Sequence, residues 1–101
     1  MDTTIIKSTI EKIIKDIPQG YFFDSHTIIS ILIKEYSDVY LGFVREFPNP
    51  NSDGLTLAVH GQIGIIIKEF DGALVEKQEP LSWSENIHNN FTKCACWRKI
   101  V

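Results

Sequence analysis

The sequence predicts a single α+β domain spanning residues 1–101, a helical core with a small antiparallel sheet and a C-terminal hairpin. Two observations lead there. Up to Phe70 the isoleucine-rich stretches recur at helical spacing. After Gly72 the pattern changes to two strand-like runs. The bulk properties agree: 101 residues, 44% hydrophobic and 23% charged, suffice for one hydrophobic core but not two, and lie far from the composition of disordered chains.

From Thr4 to Ile17, Ile6, Ile10, Ile13, Ile14 and Ile17 form one helical face, while Lys7, Ser8, Glu11, Lys12 and Lys15 take the other. Asp2, Thr3 or Thr4 is placed to cap this helix, and Pro18 with Gly20 ends it. The aromatic run Gly20–Phe23 reads as a brief strand. Asp24 is the expected N-cap of a helix reaching Tyr36, with Ile28, Ile29, Leu32 and Tyr36 inward.

Ser37 and Asp38 offer another cap, followed by a helical pattern over Val39–Phe47 that either continues the previous helix or turns a corner. Residues 48–54 are rich in turn formers and read as an exposed loop. Leu55–Phe70 is the next helix, with Leu55, Val59, Ile63, Ile66, Ile67 and Phe70 on its apolar face and Gly72 as its C-cap. Gly61 and Gly64 each cost about 1 kcal/mol against alanine inside a helix, so they imply either close packing by another backbone or a locally weak helix. Ala73–Gln78 and Lys93–Ile100 read as strands joined by a long polar loop, 79–92, that carries Trp83, Ile87 and Phe91.

This order of elements resembles the winged-helix superfamily, with 79–92 in the place of the wing. The resemblance covers nearly the whole chain and rests on element order, with no signature motif. It implies that the helix from Leu57 to Phe70 is the recognition helix, supported by Ser25–Tyr36. The outer face of that helix carries Thr56, His60, Gln62, Lys68 and Glu69, with no arginine and one carboxylate that opposes phosphate. The extra helical segment Val39–Phe47 is a departure from the usual pattern.

A formal net charge of −3 argues against strong non-specific attraction to nucleic acid, while leaving room for a local basic patch. The start Met1-Asp2-Thr3-Thr4 lacks the features of a secretory signal, and the longest apolar run, Ile63–Ile67, is far short of a membrane span, so a cytoplasmic protein with no membrane association is expected. Cys94 and Cys96 are expected as free thiols. Their one-residue spacing is wrong for paired zinc ligands, so neither metal nor cofactor is expected, despite His26, His60 and His88 elsewhere in the chain. Asp24-Ser25-His26 sets an acid, a hydroxyl and a base in a row, but adjacent residues at a helix start point in different directions. Capping accounts for Asp24 or Ser25 without catalysis, and no enzymatic activity is expected.

The leading functional reading is a small non-enzymatic winged-helix module, DNA-binding or associated with transcription. The alternative is a protein-interaction or homodimerisation domain that uses the C-terminal hairpin. The residues assigned to nucleic-acid or partner binding are His60 and Lys68 on the recognition helix and Trp83, His88, Lys93, Arg98 and Lys99 on the hairpin. Trp83, Ile87 and Phe91 either anchor a partner, stack on bases, or fold back over the sheet.

The core is expected to include Ile13, Leu32, Phe43, Ile63, Ile66 and Trp97. Truncating Ile63 or Ile66 to alanine should lower the unfolding free energy by about 2 to 5 kcal/mol, read from denaturant titrations.

Overall fold

The computed structural model describes residues 2–47 and 55–101, with the side chains of 55–57 excepted. The expected loop 48–54 and the Leu55 and Thr56 side chains lie outside the described residues. The element order is α1 (Thr4–Asp16), β1 (Phe22–Asp24), α2 (Ser25–Glu35), α3 (Ser37–Val44), α4 (Leu55–Lys68), β2 (Val75–Glu85) and β3 (Phe91–Lys99). The strands form one antiparallel sheet in the order β1-β3-β2. This is a small α+β fold, as the hydrophobic pattern predicts.

The isoleucine stripe of α1 is the helix's buried face: Ile6, Ile10, Ile13 and Ile14 all lie in the core. Asp2 begins the helix by accepting the Thr4 amide hydrogen at 2.9 Å. Its other end is held from a distance. Lys99 is 4% exposed, and its Nζ donates to the Ile17 carbonyl at 2.7 Å and the Lys15 carbonyl at 3.3 Å. A cation at a helix C-terminus satisfies orphan carbonyls and complements the helix dipole. Lys99 is therefore a structural residue, and its amino group is not presented to a partner.

The segments after Asp24 form two helices. Tyr36, at φ −132° and ψ 43°, leaves the helical region, and α3 starts without a side-chain cap, so neither Ser37 nor Asp38 plays the capping role. Phe43 of α3 is buried beside Leu32 of α2 and Ile63, Ile66 and Ile67 of α4 in one continuous core. All six expected core residues are buried. α4 stops at Lys68, two residues earlier than its apolar pattern suggests. Gly72, at φ +89°, instead makes the left-handed turn into β2, its amide hydrogen bonding to the Val75 carbonyl.

The largest departure from expectation is the hairpin. Most of 79–92, expected as a loop, is strand: β2 runs through Glu85 and β3 begins at Phe91. Pairing lapses only between Gln78 and Ser82, around Pro80, which has no N–H to offer. The strand pattern was obscured because polar residues take the more enclosed face. Ser82, Ser84, Cys94 and Cys96 are half-buried, while Trp83, Glu85, Phe91 and Lys93 alternate with them on the exposed face. The Asn86 side chain closes the turn by accepting from the amides of His88 at 2.9 Å and Asn90 at 3.2 Å, and Asn89 takes the positive φ of 63° that asparagine tolerates.

Replacing Lys99 by methionine keeps the aliphatic stem but strands the Lys15 and Ile17 carbonyls. Equilibrium unfolding should show a loss of about 1 to 3 kcal/mol.

Candidate binding cleft

Asp24 is the last residue of β1 and the cap of α2, so its carboxylate stands where sheet and helices meet. Oδ1 accepts from the Thr27 amide and the Thr27 hydroxyl, both at 2.9 Å, and Oδ2 accepts from the Ser82 hydroxyl at 2.7 Å. Burial pushes this carboxyl up, but the hydrogen bonds from Ser82, Thr27 and Ser84 together outweigh it and hold it below its ordinary value. His26, two residues on, has one ring nitrogen 2.6 Å from Ser84 Oγ and the other 3.4 Å from Thr92 Oγ1. The N-terminus of α2 thus grips both strands of the hairpin.

Beyond this grip, α4 and the hairpin stand apart and enclose a cleft with a cavity of about 790 Å³. Its apolar lining includes Ile29 of α2, Ile65 of α4 and Trp97 of β3. Six basic or titratable nitrogen side chains line it: Lys68, Lys77 and Lys93, and all three histidines of the chain, His26, His60 and His88. Among the described residues no aspartate or glutamate lines it. The one carboxylate expected on the outer face of this helix, Glu69, does not line the cleft and pairs with Lys7 of α1 at 3.1 Å.

His60 is half-buried on α4. Its Nε2 is 2.9 Å from the Tyr40 hydroxyl, with the two rings tilted at 45° and their centroids 6.1 Å apart. Burial lowers the His60 pKa, and the nearby His88 and His26 lower it further, so it is neutral near pH 7. Burial raises the Tyr40 hydroxyl. Among the described residues no group of three or more His, Cys, Asp or Glu side chains is arranged to hold a metal ion. Cys94 and Cys96 are free thiols, and burial raises the Cys96 thiol, helped by the Asp24 carboxylate.

Gly61 and Gly64 also line the cleft. Among the described residues close packing by another backbone does not explain them, since a Cβ at either position would meet nothing within 4 Å. They leave the wall of α4 open.

Of the seven residues assigned from the sequence, the fold brings four together in the cleft: His60, Lys68, His88 and Lys93. Arg98 is engaged by Glu76 at 3.8 Å, away from the cleft, and Lys99 is buried under α1. Trp83, 63% exposed, does not cover the sheet. It stacks on Phe91, with centroids 6.5 Å apart and planes 21° apart, on the open face of the hairpin directly opposite Lys93. His26, Lys77 and the two glycines were not assigned to a binding surface. Only His26 carried a signal, as a helix-start histidine; Lys77 joins the site through strand register alone.

Comparison with family models, with curated proteins and with solved structures finds no match to this chain. Among the described residues no helix is long and apolar enough to cross a membrane.

The Asp24 carboxyl, held below its ordinary 3.8, contributes stability that is fully present above that value and is lost as the pH falls through the lower folded value, because the unfolded chain takes the proton first. Acid titrations of unfolding should therefore show a shallower loss in Asp24→Asn than in the parent, with the variant already weakened at neutral pH.

Proposed function

We propose that this chain is a non-enzymatic winged-helix module that binds nucleic acid, with the cleft between α4 and the hairpin as its polyanion-binding surface. α4 takes the place of the recognition helix and β2–β3 that of the wing. The observation that carries the reading is the convergence of Lys68, Lys77 and Lys93 with three histidines on a surface that no carboxylate among the described residues lines, in a chain whose net charge is −3.

Phosphate contact, and not base reading by α4, is the favoured mode. The cleft-facing residues of α4 are His60, Gly61, Gly64, Ile65 and Lys68, and none is an arginine, asparagine or glutamine able to make a bidentate contact with a base edge. A catalytic reading finds less support. The hydrogen bonds of Asp24 go to Thr27 and Ser82, and both ring nitrogens of His26 meet hydroxyls, so no carboxylate orients that imidazole as a nucleophile-activating base requires.

Fluorescence anisotropy with a labelled oligonucleotide across a salt series tests the proposal. Three lysines on phosphates should give a log–log slope of about −2 to −3. Changing Lys68 and Lys93 together to alanine should make that slope shallower by roughly 1 to 2 and leave the melting temperature nearly unchanged. No binding at low salt would overturn it.

A further inference from the structure

Two features of this surface have no use for an intact duplex. The first is the α4 wall of the cleft. Gly61 and Gly64 forgo about 1 kcal/mol each of helix preference, although among the described residues an alanine Cβ would touch nothing at either position. What glycine leaves there is open space beside an Ile65 that is 54% exposed, in a cleft that Ile29 and Trp97 also line. A phosphate gains nothing from such apolar neighbours, because it would have to shed water to reach them. A flat uncharged ring gains from them, with its phosphates left to the lysines at the rim.

The second is the Trp83–Phe91 pair. Both rings are more than half exposed, at 63% and 56%, and the polar residues of the same strands take the enclosed face. Lys93 links the two features, since it lies opposite Trp83 in the ladder and also lines the cleft. Aromatic platforms interleaved with cations are the means by which proteins hold unpaired bases without reading sequence.

We infer that the polyanion is single-stranded nucleic acid: an unpaired base enters the cleft against Gly61 and Gly64, a neighbouring base stacks on the Trp83–Phe91 pair, and Lys93 holds phosphate between them. The inference rests on the nucleic-acid reading above and names the substrate class of the same site.

Binding of a short single-stranded oligonucleotide and of its duplex, measured at one low salt concentration, is the test, with thermal melting of each variant alongside. The single strand should bind at least about tenfold more tightly than the duplex. Trp83→Ala should weaken single-strand binding by roughly 5- to 150-fold with the melting temperature and duplex affinity unchanged. Gly64→Leu, which fills the space beside α4, should also weaken the single strand, while Gly64→Ala melts at the parent temperature or above it. Trp83 lies on the exposed face, so its variant keeps the test sound if Gly64→Leu misfolds. Equal or tighter duplex binding, or single-strand affinity indifferent to Trp83→Ala, overturns the inference while leaving the polyanion reading in place. Self-association abolished by Trp83→Ala and unaffected by oligonucleotide assigns the aromatic pair to a second copy of the chain and equally overturns it. Loss of all binding at low salt removes both readings.

Discussion

The carboxylate of Asp24 is the point on which the arrangement of this fold turns. It ends β1, caps α2 through Thr27, and receives the hydroxyl of Ser82 where the β2–β3 ladder resumes after its irregularity. One side chain thus joins the consecutive β1 and α2 to the distant β2, and sharing hydrogen bonds in a half-enclosed site makes each donor's placement depend on the others. Without that junction the hairpin would be tied to the domain mainly by its base, where Val75 and Trp97 enter the core.

The junction explains why the hairpin shows its aromatic residues to solvent. Serines and cysteines face the N-terminus of α2, where hydroxyl groups can reach Asp24 and His26. Strand alternation then leaves Trp83 and Phe91 no choice but the opposite face. Their exposure follows from the polar anchoring, and it creates the surface to which a function must be assigned. The same geometry sets the hairpin away from α4 and leaves the cleft between them.

Charge is distributed with equal consequence. A chain with more acidic than basic residues carries a cleft that no carboxylate among the described residues lines, while several of its acidic groups are engaged elsewhere: Glu69 with Lys7, Glu76 with Arg98, Asp24 at the hairpin junction. Net charge is a property of the whole chain, whereas attraction of a polyanion depends on the local field, which falls off over about 10 Å at moderate salt.

By itself the sequence determined the helical core and the class of the fold. The stripes Ile6–Ile10–Ile13–Ile14 and Val59–Ile63–Ile66–Ile67 can be buried only on one face of a helix, and the caps at Asp2 and Asp24 are local chemistry readable from neighbours. The hairpin beyond Gln78 was not legible, because its enclosed face is polar and the usual correspondence of apolar with inward fails there. Tertiary structure alone decided that Lys99 would be spent on the end of α1, that Lys77 would join Lys68 and Lys93, and that His26, His60 and His88 would meet. Those residues lie on elements far apart in the chain, and what brings them together is the register of β3 between β1 and β2 and the grip of α2 on the hairpin, neither of which is a local property of any segment.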